Sequence, residues 1–62
     1  MPVITMEGPP VVDLDKKRRL TKTITQAASE LYGLPEETII ILFRENAPEN
    51  VSVGGELIID RR

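Results

Sequence analysis

The sequence predicts an α+β fold: a β-α-β subunit with parallel strands, a long crossover helix and a C-terminal β-hairpin. Three observations carry this reading. The β-prone run Val3-Ile4-Thr5-Met6 stands near the amino end, a stretch with helical spacing of apolar residues follows, and the unbroken apolar run Ile39-Ile40-Ile41-Leu42-Phe43 comes after it. Strand, long helix and strand in that order form a crossover unit, so the two main strands run parallel with a right-handed connection.

Each element has its own signals. Pro2 lacks a backbone N–H and suits the first residue of a strand. The strand ends at Gly8-Pro9-Pro10, whose backbone cannot continue a sheet. Asp13 is placed as the helix N-cap, and Asp15 is an acid in the first turn, where it complements the helix dipole. Leu20, Ile24, Ala27, Ala28 and Leu31 then fall at i, i+4, i+7, i+8 and i+11, a single apolar stripe. Gly33 supplies the stop and Pro35 follows it, giving a helix from about Leu14 to Tyr32, roughly 28 Å long at 1.5 Å per residue.

Beyond the polar turn Pro35-Glu36-Glu37-Thr38, the run Ile39 to Phe43 has no polar alternation. Successive strand side chains point to opposite faces, so such a run is buried on both. Ile39, Ile41 and Phe43 are expected to pack on the helix stripe. A lone helix covers one face only, so Ile40 and Leu42 are expected to line an interface with another subunit. Ala47-Pro48-Glu49-Asn50 reads as a loop, and Gly54-Gly55 between Val51-Ser52-Val53 and Glu56-Leu57-Ile58-Ile59 reads as a hairpin turn.

Composition narrows the chemistry. The 62 residues form one domain, 1–62, too small to bury more than about 60% of the surface of its unfolded chain, and oligomerisation is the expected source of extra stability. The chain has no Cys and no His, which removes disulfides, Cys or His nucleophiles, His-based acid–base catalysis and zinc sites of the usual kind. A net charge of −2, one Tyr and one Phe give no pull toward nucleic acid. No apolar run approaches the ~20 residues of a membrane span and no leader is visible, so a cytoplasmic protein is expected. Lys16-Lys17-Arg18-Arg19 splays around the helix at 100° per residue and forms a solvated face, with Lys16 and Lys17 needing acidic partners near the N-terminus. Gly54-Gly55 leads into no helix and is no phosphate loop.

Pro2 directly after Met1, the length, the layout and the string Val53-Gly54-Gly55-Glu56 together resemble the 4-oxalocrotonate tautomerase family. The resemblance runs from Pro2 through the Lys17 and Leu20 positions to Arg61-Arg62. The Gly8-Pro9 step and Asn50-Val51 are similar to its archaeal-type branch. It implies dimers assembled within a hexamer, no cofactor, and a small enol or keto acid as substrate. It also implies that Met1 is removed and that the freed Pro2 nitrogen is the catalytic base and acid. An amine in an apolar pocket is held neutral, and a neutral amine can take up a proton and return it elsewhere.

By the same resemblance the substrate is lined by Pro9, Thr38, Ile40 and Val51, with Arg44 or Arg62 as the cation for its acid group. The two arginines and the aromatic of the best-studied members fall here on Val12, Ile40 and Val51, none of which pairs with a carboxylate. Arg44 shares strand parity with Thr38 and Ile40; the competing expectation for it is an ion pair with Glu45, Glu49 or Asp60. Two other functions fit the same residues: a dehalogenase or hydratase using the same proline, and a non-catalytic subunit of a larger oligomer.

Overall fold

A computed structural model describes residues 1–61. Its elements are β1 (Val3–Gly8), α1 (Leu14–Tyr32), β2 (Ile40–Glu45), β3 (Ser52–Val53) and β4 (Glu56–Leu57). Short 3-10 turns occupy Glu36–Thr38, Pro48–Asn50 and Ile58–Asp60. The β-α-β unit is as expected: β1 and β2 pair in parallel, with Val3 opposite Ile40 and Gly8 opposite Glu45. Two further backbone bonds extend the ladder at its ends, Ile40 N–H to Pro2 O (3.0 Å) and Asn46 N–H to Gly8 O (2.8 Å).

Capping fixes both ends of α1. The Asp13 carboxylate accepts from the backbone N–H groups of Asp15 (3.0 Å) and Lys16 (3.2 Å), donors that the first helical turn otherwise leaves without partners. At the other end Gly33 takes a left-handed conformation, φ 65°, and its N–H donates to Ser29 O at 2.9 Å. Gly54 and Gly55 both have positive φ, 62° and 86°, as a two-residue hairpin turn between β3 and β4 requires. The hairpin is shorter than its apolar residues suggest. After Ile58 N–H has donated to Val51 O (2.8 Å), the chain turns into the last 3-10 segment instead of extending β4 through Ile59.

The strand parity expected for β2 holds. Ile4, Met6, Ile39, Ile41 and Phe43 are half-buried on the helix side, whereas Val3, Ile40 and Leu42 are 56, 36 and 45% exposed on the other. The helix stripe divides differently from expectation. Lys17, Thr21, Ile24, Ala28 and Ser29 turn toward the strands, while Ala27 is exposed and Leu31 is 77% exposed. Two strands at ~4.8 Å spacing make a narrow platform, and a helix with a broad apolar arc cannot lay all of it on them.

Only Ala28, 7% exposed, is buried among the described residues. The accessible surface is 5073 Å², against about 4,000 Å² for a compact monomer of this mass. The radius of gyration is 15.0 Å, against about 10.6 Å for a compact domain of this length.

Candidate active site

The β1–β2 register divides the candidate residues into two groups. Pro2, Ile40 and Thr38 lie together at one end of the strand pair. Pro2 is half-buried, its carbonyl oxygen accepts the Ile40 N–H, and Val3 stands across from Ile40. Thr38 closes the turn before β2: both its backbone N–H (3.0 Å) and its hydroxyl (2.7 Å) donate to Pro35 O. With its proton committed there, the hydroxyl offers a ligand only its lone pairs.

Pro9, Arg44 and Val51 lie at the opposite end. The six residues of β1 separate Pro2 from Pro9, a span of about 23 Å at ~3.3 Å per residue step. Pro9 and Val51 share a concavity of about 580 Å³ with Glu7, Gly8, Asn46, Pro48 and Ile58. Arg44 and Pro9 border a second, of about 480 Å³, whose floor includes Met6, Leu20 and Phe43. Pro2 lines neither of these two hollows, so within one protomer the expected residues do not form one pocket. Arg62 lies outside the described residues.

Arg44 has a different partner from those expected. Glu7, its register neighbour on β1, approaches its guanidinium at 3.9 Å; both side chains are largely exposed. Glu45 pairs instead with Lys17 on α1, and its carboxylate also accepts the Val11 N–H at 3.2 Å. The hydrogen bond from Lys17 is the main cause that holds the Glu45 carboxyl below its ordinary value; desolvation opposes it, and the Val11 N–H and the Lys17 charge add smaller effects in the lowering direction. Lys17 Nζ also lies 5.5 Å from the centre of the Phe43 ring. Glu45 thereby ties β2, the β1–α1 loop and the first turns of α1 together at the end remote from Pro2. The acidic partner expected for Lys17 is thus Glu45. Alternation along β2 puts position 45 on the helix face with Ile41 and Phe43, which was a signal for this pairing in the sequence.

Comparison with known proteins bears on the same residues. A family model described as tautomerase enzyme matches residues 2–61. The chain belongs to the tautomerase family. By class of reaction it is an isomerase. A probable tautomerase of Bacillus cereus is 31% identical over 61 residues, which are 98% of this chain and 100% of that protein. DmpI from Archaeoglobus fulgidus is 42% identical, with a TM-score of 0.79 over 95% of this chain and 100% of its own. A 4-oxalocrotonate tautomerase homologue superposes with a TM-score of 0.89 at 29% identity, over 100% of this chain and 98% of its own. The resemblance read from Pro2, the layout and Val53-Gly54-Gly55-Glu56 is therefore to the right family. Among the described residues, no helix is long and apolar enough to cross a membrane.

Proposed function

We propose that this tautomerase interconverts the enol and keto forms of a small 2-oxo or 2-hydroxydienoate acid without a cofactor, with Pro2 as the proton carrier. The observation that carries the reading is the placement of Pro2. It sits at the end of the parallel pair, pinned through its carbonyl by Ile40, beside aliphatic side chains that disfavour an ammonium ion. Removal of Met1 turns the Pro2 nitrogen from an amide into a secondary amine. The amine takes the proton of the 2-hydroxyl as the C2 carbonyl forms, and the enol electron pair moves to carbon. The resulting ammonium then protonates that carbon, and the neutral amine is restored.

The site is completed by another copy of the chain. Val3, Ile40 and Leu42 form an exposed apolar face beside Pro2, which supports self-association through this side of the strands. Pro9, Val51 and Arg44, remote from Pro2 in their own protomer, reach a Pro2 only if it belongs to a neighbour. Arg44 of that neighbour then holds the substrate's carboxylate.

Pro2→Ala tests the reading. With Met1 removed from both proteins, the variant is expected to lose about 10² to 10⁴ in kcat, the usual contribution of a positioned acid–base group, while its oligomeric mass is unchanged. Equal rates in the two proteins would exclude Pro2 as the carrier.

A further inference from the structure

We propose that Asn46 is a catalytic residue of the tautomerase reaction, giving a side-chain amide N–H to the C2 oxygen of the substrate while that oxygen carries negative charge. This deepens the reading above, in which a neighbouring copy supplies Pro2 to the hollow that Pro9 and Val51 share, and rests on it. Asn46 directly follows β2, and its backbone N–H donates to Gly8 O at 2.8 Å, so the ladder still holds it. Strand alternation then sets it on the face of Ile40, Leu42 and Arg44, the side through which the copies are proposed to associate.

The amide is held by one of its hydrogens and free at the other. Asn46 Nδ2 donates to Arg44 O at 3.3 Å. A carbonyl oxygen accepts and does not donate, so this contact fixes which side-chain atom is the nitrogen and sets the orientation of the group. It uses one of the two amide hydrogens and leaves the second for a ligand. Asn46 is half-buried and lines the hollow of about 580 Å³. Gly8, Pro9, Pro48, Val51 and Ile58 bring no polar side-chain atom to that hollow. Glu7, at its edge, is largely exposed, and its carboxylate faces the Arg44 guanidinium at 3.9 Å. Among the described residues that line this hollow, Asn46 holds the only side-chain hydrogen-bond donor.

The reaction has a use for such a donor. When the amine takes the 2-hydroxyl proton, the electrons of that O–H bond stay on the C2 oxygen. As they form the C2 carbonyl, the enol pair moves to carbon and takes the proton back from the ammonium. Between the two transfers the C2 oxygen holds a charge that an aliphatic wall does not stabilise, and a fixed neutral N–H aimed at it lowers the barrier. The cations stand beside this donor: Arg44, with Lys16 and Lys17, borders the adjoining hollow, and both hollows include Glu7, Gly8 and Pro9. A 2-oxo acid carries its carboxylate next to its C2 oxygen, so Arg44 and Asn46, two positions apart on one strand face, serve adjacent groups of one substrate.

The test compares phenylenolpyruvate with cinnamate, the same carbon skeleton without the C2 oxygen, on Met1-free protein. Asn46→Ala is expected to lower kcat for ketonisation about 10²-fold, with KM and the inhibition constant of cinnamate within about threefold of those of the unaltered protein. An unchanged kcat in assembled Asn46→Ala, or a loss of cinnamate affinity as large as the loss of rate, would overturn the role of Asn46; the proline reading stands in that case if Pro2→Ala abolishes the rate. No turnover by the unaltered protein, or turnover that Pro2→Ala leaves intact, would overturn both. A measurement on the unaltered protein decides the matter even if Asn46→Ala fails to assemble. The Asn46 side-chain amide proton should shift in a proton–nitrogen correlation spectrum on addition of phenylpyruvate and not of cinnamate, whereas no shift, or the same shift with both, would overturn its role.

Discussion

Glu45 and Pro2 occupy opposite ends of one strand pair, and their side chains do different work. Glu45 joins three segments through Lys17 and Val11 and lies far from the candidate base. Its folded pKa is below that of the unfolded chain, so its stabilising effect is complete above the ordinary carboxylate range. That effect is lost as pH falls through the lowered folded value. Glu45→Gln is expected to lower the Tm by a few degrees at neutral pH and to flatten the acid limb of a plot of Tm against pH. An unchanged acid limb in that variant would assign the loss of stability to other carboxylates. Pro2, Thr38 and Ile40 were legible as neighbours because a parallel β-α-β register places the start of the first strand beside the start of the second. The same register places Pro9 and Arg44 at the far end; the position of Val51 beside Pro9 was not legible, since residue types do not fix where the chain after β2 packs.

The secondary elements follow closely from local chemistry where the backbone itself is constrained. Asp13 and Gly33 bound α1 at the residues their capping roles demand, and Gly54-Gly55 makes the turn between β3 and β4. Gly33→Ala is expected to cost about 1 kcal/mol, because nothing lies within 4 Å of the added methyl and the cost is that of a left-handed backbone alone. Asp13→Ala is expected to cost a similar amount, about 1 kcal/mol, through loss of the cap. Both are read from chemical denaturation midpoints at constant m. Sequence periodicity was less informative about direction. Leu20, Ala27 and Leu31 belong to the same apolar arc as Ile24 and Ala28, yet the narrow two-stranded platform takes only one edge of that arc. The 3-10 turn at Ile58–Asp60 was hidden for a related reason: an apolar triplet reads as strand until the fold offers it no partner strand.

Taken as a whole, the protomer exposes too much to be self-sufficient. Its surface and radius of gyration both exceed what a compact chain of this mass and length shows, and the excess includes the apolar side chains of Val3, Ile40, Leu42 and Leu31. The unbroken apolar run in β2 predicts a second interface, because a single helix covers only one face of a strand. Ile40→Asp is expected to reduce the oligomer to monomer with loss of cooperative unfolding, measured by sedimentation equilibrium and thermal melts. An oligomer of unchanged mass in that variant would place the interface elsewhere. In the site proposed above, assembly and chemistry are one problem, since the proposed base and the proposed carboxylate-binding cation reach each other only between copies.

The most direct test of Pro2 as the proton carrier is the pH dependence of kcat/KM for ketonisation of phenylenolpyruvate, with protein whose mass confirms that Met1 is absent. The rate is expected to rise with pH through one apparent pKa well below that of an ordinary secondary amine, and Pro2→Ala is expected to abolish the rise. A profile that follows the buffer alone, or one that Pro2→Ala leaves unchanged, would contradict it.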